Sequence, residues 1–420
     1  MSREPVITLP SADAPRVSIL VVATVVGERL RRCLRSIELA APAVAFDTTV
    51  LLDGVAHEDA EALRGGVSGV RIECFETNLG LAGALNRGRE FAGGEFFVML
   101  QDDTEVRAGW LDALVDAADQ DRGAGAVTSL VLNPDGSLQL AGYGLTSDFI
   151  PVAPWGEGVP DPADFAGVRA VDCGASSSLL VRTATWDRIG GADERVFPLY
   201  PVDIDLCLAI RMRGERVLCA PASVIVHERG ASTHSDYAAF VQRRNRELML
   251  EKWGAAIRDH VAGSGATAEL APGELPLQER VRDPELQARR QLIRAVDTLR
   301  AYAADLRSRL EGREAEVRAV WERNSYLEER NPGLERVNGE LAARVAELER
   351  RGGELEGTRG GGAAASTGSV ASTQAELAWL RQRSETLARV EAGGWWRLRR
   401  YVRPLLVIAA SARRATRGRR

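Results

Sequence analysis

Lysine is almost missing from this chain. Lys252 is the only one among 54 basic residues, and the rest are Arg. A mechanism that needs several lysines is therefore excluded. The five cysteines, at 33, 74, 173, 207 and 219, form no C-x-x-C pair. That argues against zinc ribbons and disulfide frameworks, and for small buried hydrophobes in a reducing compartment. No run approaches the roughly 20 apolar residues needed to span a bilayer. Met1 to Arg16 has no apolar core of the kind a secretory leader carries, so no signal peptide is expected. Acids are absent after Glu391, where nine Arg follow. The net charge of −5 gives no general pull toward nucleic acid. What is present is a chain of 420 residues, 45% apolar, long enough for one large or two medium domains with extensions.

Residues 17–24, VSILVVAT, read as a buried strand rich in β-branched residues. A helix follows, with Leu30, Cys33, Leu34 and Ile37 at helical spacing. Residues 49–53 form the next strand, 58–63 a helix, and 70–75 a further strand. Strand, helix, strand, helix, strand predicts an α/β fold with a mostly parallel, Rossmann-like sheet. Residues 96–100 make another buried strand, and straight after it comes Gln101-Asp102-Asp103. Carboxylates at the carboxyl edge of such a sheet can present oxygens to a divalent cation, which in turn can hold a diphosphate. A plainer reading makes the two Asp a turn and a cap for the next helix. Asp53 ends a strand in the same way, either as a contact to a base or ribose or as a cap. The segment 77–88, TNLGLAGALNRG, brings Asn78, Gly80 and Asn86 with small residues that let backbone approach a phosphate or simply pack tightly.

The run NLGLAGALNRGREFAGGEFFVMLQDDTEV resembles the middle of a family 2 glycosyltransferase with the GT-A fold, of the bacterial rhamnosyltransferase-like kind. The resemblance extends over about residues 17–255. It implies a nucleotide-sugar donor, with Thr24, Asp53, Asn78, Gly80, Asn86 and Asp102 on the donor side. It implies that Asp103, the last acid of a D-x-D-type motif, binds Mg2+ or Mn2+. Gln101 departs from the motif's first position, and Val25-Val26 replace the polar residue expected after the first strand.

The second half continues the resemblance. Val171 to Arg182 is similar to the small-residue segment lining a sugar site, which puts Gly174 and Ala175 on the acceptor side. Asp203-Ile204-Asp205-Leu206-Cys207 starts a helical pattern, so Asp203 lies at or near a helix N-terminus. The segment resembles the family's E-D-x-D-L-C motif, which implies that Asp203 is the general base and places Asp205 beside the acceptor. Val202 stands where that motif has Glu. The strand 224–226 ends at His227, and the resemblance implies that this His completes the metal shell.

Beyond residue 262 the chain changes character. The expected organisation is an extension (1–16), the transferase domain (17–262), a linker (263–290), a coiled coil (291–357), a Gly/Ala/Ser linker (358–373) and a basic helical tail (374–420). In the coiled coil, nine of ten d positions from Leu292 to Leu355 are apolar, and Asn324, Asn331 and Asn338 occupy successive a positions. Pro332-Gly333 is expected to kink or interrupt it. In the tail, Trp395, Leu398, Tyr401, Val402 and Leu405 share one helical face among Arg, as in a helix lying on an anionic membrane surface.

The expectation is an inverting, metal-dependent glycosyltransferase. It would move a hexose to a hydroxyl, with a lipid-linked saccharide of bacterial cell-wall or surface-polysaccharide assembly as acceptor. Rhamnose, galactofuranose and glucose donors all fit. The expected setting is a cytoplasmic homodimer, peripheral on the inner face of the cell membrane, with no nucleic-acid partner. The competing reading is a degenerate sugar-binding scaffold on a coiled-coil stalk. A nucleotidyltransferase fits less well, because the first strand lacks a Gly-rich signature and a basic residue after it.

Overall fold

The structure is a computed structural model describing residues 6–146, 148–152, 161, 165–228, 235–257 and 272–359, with Ala378 and Gln382. The chain divides into two compact units, Met1–Leu306 and Arg307–Arg420.

The first unit runs β1 Ile7–Thr8, β2 Val17–Ala23, α1 Glu28–Ala40, β3 Phe46–Asp53, α2 His57–Arg64, β4 Val67–Ser68 and β5 Arg71–Phe75. It continues α3 Gly80–Gly88, β6 Phe96–Gln101, β7 Thr104–Val106, α4 Trp110–Gln120, β8 Ala124–Leu132 and β9 Leu138–Leu140. Then come β10 Gly144–Leu145, β11 Pro151–Val152, β12 Arg169–Val171, β13 Ser178–Arg182, α5 Thr183–Ile189, α6 Val202–Met212, β14 Arg216–His227 and α7 Ser235–Ile257. The last helix, α8 Pro284–Arg359, begins in this unit.

Ten strands form the main sheet, in the order β12-β14-β8-β13-β6-β2-β3-β5, with β7 on β14 and β9 on β8. β6, β2, β3 and β5 are parallel. β13 then inserts antiparallel between β6 and β8, and β8 and β14 are parallel again. The central strands are mostly apolar because both faces are covered. Alternation still decides which face each residue takes. Ile19, Val21, Val98 and Leu100 join one core with α1 and α4 residues such as Leu34 and Trp110. Leu20, Phe97 and Met99 join the other with Trp186, Leu206 and Trp253 from α5, α6 and α7. The result is three layers, helix on sheet on helix. All four expected α1 positions, Leu30, Cys33, Leu34 and Ile37, are buried.

Two expectations about the C-terminal region need correction. The segment 272–283, expected as part of a linker, lies against the body of the first unit. Glu194 donates its backbone N–H to the Glu279 carbonyl at 2.9 Å, and Lys252 Nζ donates to Gln278 Oε1 at 2.8 Å. α8 then starts at Pro284 rather than 291. Asp283 caps it by accepting the Leu286 N–H at 2.7 Å, with Pro at the first helical position, where its missing N–H costs nothing. Gln287 and Gln291 are buried and donate to Glu194 at 2.8 and 3.3 Å, and Tyr302 packs against Tyr237 and Phe240 of α7. The second correction concerns Pro332-Gly333, through which α8 runs unbroken. One lost backbone bond does not end a helix whose flanks are rich in Leu, Glu and Arg.

In the second unit, helix occupies 307–359 among the described residues. Of the expected flexible linker only Thr358 and Arg359, and of the basic tail only Ala378 and Gln382, lie among the described residues. The side chains of Asn324, Asn331 and Asn338 are likewise outside them. No helix among the described residues is long and apolar enough to cross a membrane.

Candidate active site

The site forms where β6 ends. Gln101 is the last residue of β6, and Asp102 and Asp103 make the turn into β7. β7 pairs antiparallel with the end of β14, which sets His227 opposite Thr104. The Glu228 N–H donates to the Asp103 carbonyl at 3.1 Å and pins the two ends together. Two residues 124 positions apart in sequence thus meet, with His227 Nε2 3.4 Å from Asp103 Oδ1. Their side chains are only 16% and 6% exposed, and Asp103 lines a cleft together with Arg29, Arg32 and Pro134. A carboxylate oxygen facing an imidazole nitrogen is a donor set for Mg2+ or Mn2+. Among the described residues no three His, Cys, Asp or Glu form a closed cage. A cation at this pair would therefore take its remaining ligands from water or from a bound diphosphate, as Mg2+ commonly does.

Asp102 is half-buried, and its carboxyl is pushed up to about 6, first by burial and then by the charge of Asp103, with Arg29 opposing. Gln101 turns the other way. Its Nε2 donates to Ser176 Oγ at 3.1 Å, and the Ser176 N–H points at Asp203 Oδ2 at 3.4 Å. The replacement of an acid by Gln thus supplies a donor that ties the β6 terminus to the segment holding Asp203.

Asp203 is the second residue of α6. The Ile204 N–H donates to its Oδ1 at 3.0 Å, and the Tyr143 hydroxyl donates to its carboxylate. Burial raises its pKa, and the donors from Tyr143, Ser176 and Ile204 hold it back. A carboxylate of that kind is a stronger base than an exposed one. Val202 is buried in the core, so the position of the expected Glu has become a packing residue.

Several expected site residues belong to the scaffold. Asn86 was expected to touch the donor, but it is buried. It bonds the Ala192 carbonyl at 2.9 Å, the Ala192 N–H at 3.0 Å and Glu194 at 3.0 Å. Asp205 was expected on the acceptor side, but two positions along a helix turn a side chain to the opposite face from Asp203. It is buried against Lys252 Nζ at 2.6 Å and Trp253 Nε1 at 2.7 Å. Asp53 is buried, accepts the Leu79 N–H at 2.6 Å and the Gly80 N–H, and is pushed up to about 7 by burial. It thereby holds the entry to α3, and Asn78 Oδ1 accepts the Gly80 N–H at 3.0 Å beside it. Gly80 has φ +71°, and a Cβ there would run into Phe197 and the Pro198 carbonyl. Gly174 and Ala175 are packed onto Thr128, whose Oγ1 accepts the Ala175 N–H at 3.2 Å. Thr24 is exposed at the end of β2.

Tyr143, Ser176 and Gln139 were missed. Each acts through a contact that only the folded sheet creates, and a lone Tyr, Ser or Gln carries no sequence pattern of its own.

Residues 18–149 match glycosyl transferase family 2. That segment, about a third of the chain, is similar to the family and contains Asp53, Asp102 and Asp103. An N-acetylglucosaminyl-diphospho-decaprenol L-rhamnosyltransferase of Mycobacterium tuberculosis is 27% identical over 248 residues, which is 53% of this chain and 80% of that protein. The O-antigen biosynthesis protein RfbC of Myxococcus xanthus is 33% identical over 153 residues, 34% of this chain and 12% of that one. A solved mannosyltransferase of Pyrobaculum calidifontis, in complex with GDP-Man and Mn2+, aligns with a TM-score of 0.42 at 19% identity, covering 72% of this chain and 79% of that one.

Proposed function

We propose that this chain is a family 2 glycosyltransferase that moves a sugar, with inversion, from a nucleotide diphosphate to a hydroxyl of a lipid-linked saccharide in cell-wall or surface-polysaccharide assembly. The observation that carries the reading is the link from Gln101 through Ser176 to Asp203 beside the Asp103–His227 pair. It supports a reading in which a diphosphate-holding corner and a buried base share one sheet edge. Asp103 and His227 would hold a divalent cation, which when bound offsets negative charge on the departing diphosphate. Asp203 takes the proton of the acceptor hydroxyl as its oxygen attacks the anomeric carbon from the face opposite the diphosphate. The acceptor class is supported by the mycobacterial relative, whose name gives a diphospho-decaprenol substrate.

Release of nucleotide diphosphate from a panel of UDP-, dTDP- and GDP-sugars, with Mn2+ and with EDTA, tests this. One donor should be turned over, and EDTA should stop it. Asp203→Asn should lower turnover by about 100-fold or more while keeping donor binding. Full turnover in that variant removes Asp203 as the base.

We also propose that α8 pairs with α8 of a second copy and that the basic tail docks on an anionic membrane from the cytoplasmic side. Leu292, Val296, Leu299, Leu306, Leu310, Val317 and Val320 follow the a/d register and are all exposed, which supports an apolar seam awaiting a partner helix. Sedimentation of the full chain, alone and with anionic liposomes, reads both ideas. A monomer at micromolar concentration would end the first, and failure to float with the liposomes would end the second.

A further inference from the structure

Gln139 sits at the middle of β9, the strand that folds back along β8 after the turn at 133–137. Its amide is fixed from two directions. Nε2 donates to the carbonyl oxygen of His227 at 2.9 Å and to Asn133 Oδ1 at 2.9 Å. A carbonyl oxygen can only accept, so the nitrogen end of the amide must face it. The second anchor lies across the turn. Asp135 accepts the Ser137 hydroxyl proton at 2.6 Å. With that proton committed, Ser137 Oγ accepts from Asn133 Nδ2 at 2.9 Å, which leaves Asn133 Oδ1 facing Gln139. The orientation of every group in this chain follows from two acceptor-only ends.

The consequence falls on the imidazole. Gln139 Oε1 lies 2.8 Å from His227 Nδ1 and is an acceptor there, so Nδ1 must carry the proton. A neutral imidazole has one N–H. In that neutral form, the one a metal can bind, Nε2 is the bare nitrogen, and it is the one 3.4 Å from Asp103 Oδ1. A metal needs that lone pair, and an outer acceptor on Nδ1 is the usual means of presenting it. We propose that Gln139 is a positioning residue that holds His227 in the Nδ1–H tautomer, with Nε2 presented toward Asp103 as a ready ligand. Its importance for metal binding rests on the function proposed above, but the tautomer itself can be read without any metal.

The test uses the full chain labelled with 15N and free of metal. The long-range 1H–15N histidine spectrum contains only four rings, and His227 is the one lost in His227→Asn. The wild-type ring should be protonated on Nδ1. Gln139→Leu removes the acceptor, so the ring should move to the Nε2–H tautomer and the Kd for Mn2+ should rise by about 10–100-fold. Gln139→Glu keeps an acceptor on Nδ1 and should restore the wild-type ring pattern. A wild-type ring protonated on Nε2 overturns the proposal, even if Gln139→Leu does not fold. An unchanged tautomer in a folded Gln139→Leu also overturns it. If the wild-type ring is protonated on Nδ1 and yet no Mn2+ binds, the positioning role stands and the metal reading above falls instead.

Discussion

Two clusters of acids and cations differ in whether they are closed. In one, Lys252 Nζ reaches Asp193 at 2.7 Å and Asp205 at 2.6 Å. Asp193 also takes Arg195 at 2.7 Å, and Asp205 takes the Trp253 indole N–H at 2.7 Å. These acids and the ammonium are almost completely buried. In the other, Asp103 faces His227 at the wall of a cleft, with arginines lining the same opening. The first cluster neutralises itself inside the protein and has no route to a ligand. The second presents acceptors toward a space where a cation and a phosphate can enter. Acids that complete their own network build the fold, and acids arranged toward a cleft are available for chemistry.

The sharpest way to break this contrast is to remove the single lysine. Lys252→Ala would leave two carboxylates in the core with only part of their compensation. Breaking a buried ion pair from one side costs about 3–5 kcal/mol, so the variant should unfold at a much lower temperature or fail to accumulate. Asp103→Asn should shift the melting temperature little, because it empties no core network, yet it should abolish Mn2+ binding. Thermal melts with a metal titration on both variants check this. If Lys252→Ala melts like wild type while Asp103→Asn unfolds, the assignment of the two clusters is reversed.

The contrast also shows what could be read from the chain. The strands at 17–23, 46–53 and 96–101 were legible because buried parallel strands are continuous apolar runs with abrupt polar ends. The Asp103–His227 pairing was legible only through a motif resemblance, since nothing local ties residue 103 to residue 227. The antiparallel insertion of β13 between β6 and β8 was not legible, because strand order depends on long-range pairing. Asp203 and Asp205 look equivalent as letters in one motif, and only the helix phase separates Asp203, which meets Tyr143 and Ser176, from Asp205, which meets Lys252 and Trp253. Asn86 failed for the same reason, on a helix so rich in small residues that no face stands out. The start of α8 was missed because Gln287, Gln291 and Thr298 are polar yet buried, a combination that pattern reading assigns to solvent.

A smaller effect is expected from Tyr143, which sharpens the comparison within the active side alone. Tyr143 is buried, and burial with the charge of Asp203 nearby pushes its hydroxyl well above the usual tyrosine range, so it stays a donor at neutral pH. Its proton favours the ionised form of Asp203 against the burial that disfavours it. Tyr143→Phe removes that donor and leaves a shape of nearly equal volume. The pKa of Asp203 should then rise further, so the acid limb of the kcat/KM profile should move to higher pH. Activity on the acid limb should fall by about ten-fold, the scale of one hydrogen bond to a charged group, while the alkaline plateau recovers most of the wild-type rate. The sign is what matters. A limb that moves to lower pH would mean that Tyr143 destabilises the carboxylate. A limb that stays in place with a uniformly lower rate would mean that Tyr143 shapes the pocket without acting on the proton of Asp203.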